Sequence, residues 1–171
     1  MTTRKQSSAR ETTGDAKALV QLFRMLTEEQ FDFWITALNR AVAATGASAE
    51  KFTRDDRQKT ISYWYLLMFL LEIYCEGHNP FEVRKGATWL SDGLVSMKRL
   101  GDDFKDRYKE ETVRRYVFDL KRCGLIALEG RGSEAMVQLS APAIIALTDT
   151  IKQWITTFRD VDRRVQKMRA F

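Results

Sequence analysis

Through most of this chain apolar residues recur at steps of three and four, and at steps of two in only one region. Ala16, Leu19, Val20, Phe23 and Leu26 mark a first amphipathic helix, with Asp15 placed to cap it. Thr27-Glu28-Glu29-Gln30 reads as a capping box ahead of a second series, Phe31, Trp34, Ile35, Leu38, Ala41 and Val42, which Gly46 ends. Thr53 opens the longest helix, which runs to about Glu76 and stops at Gly77 and the Asn79-Pro80 turn. From Ile61 to Cys75 that helix is apolar nearly all round, as a central helix packed on several sides must be. A further helix, capped by Thr88 or Ser91, would carry Leu94, Val95, Met97 and Leu100. Residues 1–14, MTTRKQSSARETTG, have no periodicity and are expected to form a flexible basic tail.

The most informative stretch is KEETVRRYVFDLKRCGLIALEGRGSEAMVQLS, Lys109 to Ser140. Val113, Tyr116, Val117 and Leu120 give it a helical face. Glu110 and Glu111 in the first turn and Lys121 and Arg122 in the last complement the helix dipole. Gly124 follows, where a left-handed stop needs no side chain. The period then falls to two. Leu125, Ile126 and Leu128 form one short strand, Met136, Val137 and Leu139 another, and the glycines around Arg131 make the hairpin tip. A helix, a short strand, a glycine-flanked basic hairpin and a second strand follow the plan of a winged helix-turn-helix. The expected fold is therefore mainly α, with a winged helix-turn-helix core, a small two-stranded wing, and dimerisation helices at the N- and C-terminal ends. The segment between Gly101 and Tyr108 is longer than a tight helix-turn-helix turn and has room for a short turn of its own.

ETVRRYVFDLKRCGLIALEG followed by VQLSAPAIIAL resembles the MarR-type bacterial regulators over the last third of the chain, with the remainder similar in layout. GRGSE stands where that family usually carries an acidic-x-basic element, with Arg131 offset. The resemblance implies a homodimer bound to double-stranded DNA, with N-terminal helices helping to build the dimer. With Val113, Val117 and Leu120 turned to the core, Thr112, Arg114 and Arg115, together with Lys109 and Phe118, are left outward. Arginine is the side chain best shaped for guanine, so one of Arg114 and Arg115 is expected on a base and the other on a phosphate. Lys121, Arg122 and Arg131 would be backbone contacts.

Ser140-Ala141-Pro142 starts the last helix, with a capping serine and proline in the first turn. Ile144, Leu147, Ile151, Trp154, Phe158, Val161, Val165 and Met168 follow at alternating steps of three and four. Such a narrow seam is that of a coiled coil, which makes this helix the expected dimer contact. The organisation read from the chain is thus a tail (1–14), N-terminal support helices (15–52), a winged-helix DNA-binding domain (53–140) and a C-terminal dimerisation helix (141–171).

A net charge of +5 suits an anionic partner without demanding one. Between Arg84 and Arg122 eleven basic residues stand against seven acidic ones, a mixed surface that keeps two other readings open. One is a winged-helix module that binds protein. The other is a plasmid or phage replication or partition protein using the same DNA-binding module. The run of aromatics from Tyr63 to Tyr74 is read as core, with a small-molecule effector pocket as its alternative. Cys75 and Cys123 lack metal-ligand spacing and fit buried free thiols of a reducing, cytoplasmic setting. The single histidine, His78, is read as a turn residue, and no metal or cofactor is expected. No catalytic triad, phosphate-binding glycine loop or HExxH pattern is present, so an enzyme is not expected. The apolar run from Ile61 is too short to span a bilayer, so no membrane association is expected either.

Overall fold

The structure, a computed structural model, describes residues 3–27, 30–47, 52–81 and 93–169, and the side chains of all of these except 3–13 and 161. The described residues form a mainly helical protein with one small three-stranded antiparallel sheet. In chain order the elements are α1 (Thr3–Leu26), α2 (Phe31–Thr45), α3 (Arg57–Gly77), β1 (Val95–Ser96), α4 (Met97–Asp103), α5 (Glu110–Arg122), β2 (Ile126–Glu129), β3 (Met136–Leu139) and α6 (Ala141–Arg169). Short 3-10 turns precede α3 (Arg54–Asp56) and close the hairpin (Gly132–Glu134).

α3 is the axis of the molecule. Its Trp64, Leu67 and Met68 have no solvent exposure at all, as its apolar run requires. α1 and α2 pack on one part of it, with Trp34 stacked on Trp64 at 5.6 Å and Phe23 tilted against the same indole at 6.1 Å. Asn39 of α2 ties down the chain entering α3 by a paired contact, donating to the Phe52 carbonyl at 3.0 Å and accepting from its amide at 2.7 Å. A single hydrophobic cluster runs through α1, α2, α3, the sheet, α5 and the first half of α6. The described residues of α1, α2, α3, α5 and the first half of α6 therefore share one core.

Several local expectations are met. Gly46 ends α2 with φ +70°, and Gly124 follows α5 with φ +74°. The amide of Gly124 donates to the Lys121 carbonyl at 2.9 Å and that of Leu125 to the Leu120 carbonyl at 3.0 Å, which closes the helix end. Ser140 caps α6 by accepting from the Ala143 amide at 3.3 Å. Cys75 is buried and Cys123 half-buried, and both are free thiols.

Other expectations are corrected. The segment read as a flexible tail is helical from Thr3, so Asp15 lies inside α1 and does not cap it. Lys, Gln, Ala, Arg and Glu are good helix formers, and missing apolar periodicity means only that no face needs to pack. Thr27 does not cap α2. Its hydroxyl donates back to the Phe23 carbonyl at 2.8 Å, and Gln30 occupies the cap position with no side-chain bond. The sheet, expected as a two-stranded wing, has three strands, because Val95 and Ser96 pair with Val137 and Met136. Thr88 and Ser91 lie outside the described residues. The helix expected there begins at Met97, and Ser96 caps it by accepting from the Arg99 amide at 3.1 Å.

The C-terminal seam divides in two. Ile144, Leu147 and Ile151, expected on a contact between subunits, are buried within the protomer, where α6 packs on α2 of the same chain. Trp154 sits at the boundary, edge-on to Phe23 at 5.4 Å. Beyond it, Phe158 is 59% exposed and Val165 and Met168 also face solvent, while the Val161 side chain lies outside the described residues.

A candidate nucleic-acid interface on α5

Several elements set the position of α5. Val113, Val117 and Leu120 bury its inner face. Tyr116 meets Tyr63 of α3 edge-on at 5.3 Å and Tyr108 at 5.6 Å. Tyr108 comes from the α4–α5 linker, where amides of Arg107 and Tyr108 both donate to the Phe104 carbonyl, forming the extra turn that its length allows. The Tyr108 hydroxyl is held at 2.8 Å by Ser62 of α3.

A polar anchor completes the α3–α5 contact. The Tyr63 hydroxyl donates to Asp119 Oδ2 at 2.6 Å, Lys59 Nζ lies 3.5 Å from the same oxygen, and Arg122 pairs with Asp119 Oδ1. Burial alone would raise the Asp119 carboxyl, but the bonds from Tyr63 and Arg122 and the charge of Lys59 outweigh it and hold the group below the usual carboxylate range. Burial first, and the Asp119 carboxylate second, push the Tyr63 phenol well above its ordinary value.

At its far end α5 is pressed against α2. A Cβ on Gly124 would lie 2.8 Å from Thr45 Oγ1 and 2.9 Å from Thr45 Cβ, so this glycine is required both by its backbone angle and by the close approach. Thr45 also donates to the Cys123 carbonyl at 3.1 Å.

The outer face of α5 then stands clear of the body. Lys109, Arg115, Lys121 and Arg122 are exposed and Thr112 is half-exposed. Arg115 lies with its guanidinium carbon 5.7 Å from the Tyr116 ring. Among the described residues neither Arg115 nor Lys121 is ion-paired. Arg114 differs. Its Nη2 bonds Glu110 Oε1 at 2.9 Å and its Nε is covered without a hydrogen-bond partner. Glu110 is seated for this by passing over Gly101, where a Cβ would come within 3.1 Å of Glu110 Cγ. The two arginines, one expected on a base and the other on a phosphate, are unequal: Arg115 has no ion pair among the described residues, and Arg114 is already held by Glu110. Arg122 is likewise engaged with Asp119. Arg131 is exposed at the hairpin tip between Gly130 (φ +87°) and Gly132 (φ +65°).

Sequence reasoning missed Asp119, Tyr63 and Tyr108 as the groups that hold α5. The pairs Glu110–Arg114 and Asp119–Arg122 are spaced i,i+4 and i,i+3, a signal of helix-surface pairing that was available from the chain alone.

A cleft of about 340 Å³ lies beside this unit, lined by Arg24, Met25, Tyr65, Phe69, Phe104 and Arg107 with Asp103 and Asp106. Arg107 stacks over Tyr65 at 4.6 Å, and Arg24 pairs with the buried Glu72 at 3.1 Å. Of the aromatic run on α3, Tyr65 and Phe69 reach this cleft while Tyr63, Trp64 and Tyr74 are core. His78 follows α3 and stacks on Tyr74 at 4.7 Å. No helix among the described residues is long and apolar enough to cross a membrane. No protein-family model matches the chain, and neither a curated protein nor a solved structure matches it.

Proposed function

We propose that the chain is a homodimeric, sequence-specific DNA-binding regulator of transcription, a repressor that occludes its promoter. It is built on a winged helix-turn-helix in which α5 enters the major groove and the β2–β3 hairpin meets the backbone or minor groove. One observation carries the reading: the order α3, β1, α4, α5, β2, β3, with the strands arranged β1-β3-β2, leaves the basic outer face of α5 and the Arg131 tip both free of the core. The resemblance to MarR-type regulators points the same way. Arg115 reads a base, with Thr112 beside it. Lys109, Lys121 and Arg131 bind phosphates, and Arg114 and Arg122 join them when their carboxylate partners are displaced. Dimerisation uses the half of the α6 seam beyond the half-buried Trp154, where Phe158, Val165 and Met168 are exposed.

The prior engagement of Arg114 and Arg122 by acids favours a second reading, a winged-helix module that docks on protein. Selection of duplexes from a random library, followed by affinity measurement with Arg115→Ala, separates the two. The DNA reading expects a recovered consensus and a loss of about 1–3 kcal/mol on that site for the variant. Failure to enrich any duplex sequence removes it.

A further inference from the structure

We propose that Phe118 determines sequence specificity by packing on the 5-methyl group of a thymine in the major groove, an assignment that rests on the DNA-binding reading above. Phe118 is 49% exposed although α5 already has a full packing face in Val113, Tyr116, Val117 and Leu120. The fold therefore makes no use of the outer part of this ring. Its neighbours on the helix surface, three and four positions away on either side, are Arg114, Arg115, Lys121 and Arg122. A large apolar side chain flanked by Arg115 and Lys121, with Arg114 and Arg122 beside it paired to Glu110 and Asp119, matches a surface that is anionic at its rims and apolar at one point inside. The major groove has that character: phosphates line both edges, and the thymine methyl is the one apolar group among the base edges.

The spacing fixes where the thymine should lie. Arg115 precedes Phe118 by three residues, about 4.5 Å along the helix axis. One base-pair step is about 3.4 Å. The thymine therefore falls one or two base pairs from the guanine that Arg115 reads.

The test compares wild type, Phe118→Ala and Phe118→Leu on the selected duplex, with each thymine of the half-site replaced in turn by deoxyuridine, which lacks only the methyl group. Wild type should lose about fourfold in affinity per half-site at one position, the value of burying a single methyl-sized group. Phe118→Ala should bind the thymine and uracil duplexes equally, and Phe118→Leu should keep part of the preference. The side chain lies outside the core, so thermal melts should show all three proteins equally folded. If wild type binds its duplex specifically but Phe118→Ala keeps the same thymine-to-uracil ratio, this assignment is wrong and the DNA reading stands. If wild type binds no duplex, or if acidic apolar peptides bind this face in place of DNA, both are lost.

Discussion

The Tyr63–Asp119 contact ties α5 to α3, and its removal has a calculable cost. Tyr63 is 4% exposed, and its hydroxyl reaches the carboxylate at 2.6 Å. A hydrogen bond to a charged acceptor contributes about 1.5–3 kcal/mol, and a buried partner left unsatisfied costs about 1–3 kcal/mol. Tyr63→Phe leaves Asp119 with Lys59 and Arg122, so a loss of about 1.5 kcal/mol is expected. Asp119→Ala strands the phenol and separates both cations from their acid, so about 2–3 kcal/mol is expected. The double variant should cost clearly less than the sum, with a coupling of about 1 kcal/mol. Acid supplies a second check. Because the folded state lowers the Asp119 pKa below its ordinary 3.8, its contribution is complete above that value and is lost as pH falls further and the folded-state carboxyl protonates. Urea unfolding of the four proteins at about pH 7 and about pH 2.5 reads both effects. Additive single costs, or a difference between wild type and Asp119→Ala that persists undiminished in acid, would refute this account of how α5 is held.

Gly124→Ala meets a left-handed backbone angle and the Thr45 side chain together, so it should cost about 2 kcal/mol or more by thermal or urea melts. A neutral effect would show that the α2–α5 approach is not tight. Ile151→Ala, at a fully buried position, should cost the protomer about 2–5 kcal/mol. Phe158→Ala should change unfolding by no more than about 0.5 kcal/mol while weakening self-association in sedimentation experiments. The opposite pattern would place the subunit contact on the first half of the α6 seam.

The parts of this fold that could be read from sequence are those decided by short-range chemistry. Gly124, Ser140 and the glycines of the hairpin each satisfy a demand made within a few residues, and each stands where the chain implied. β1 could not be read this way. Val95 and Ser96 sit in a helical pattern and become a strand only by pairing with Val137 and Met136, some forty residues on. The α6 seam shows the same limit from another side. Periodicity reveals a narrow apolar stripe but not what covers it, and here α2 of the same chain covers the first half, with Arg40 donating to Gln153 at 2.8 Å across the contact. In the candidate site the outward direction of Arg115 followed from the helical period. The capture of Arg114 by Glu110 depended on a side-chain pair and on Gly101 giving Glu110 room.

The central claim is that the outer face of α5 meets the phosphates and bases of duplex DNA. Its most direct test is the dependence of affinity for a random-sequence duplex on salt, for wild type and for an Arg115→Ala/Lys121→Ala variant. Neutralisation of four or more phosphates by a dimer predicts a log–log slope of about −3.5 or steeper for wild type, and a visibly shallower slope for the variant. Binding that is absent, or that is insensitive to salt and to the loss of these two cations, would contradict it.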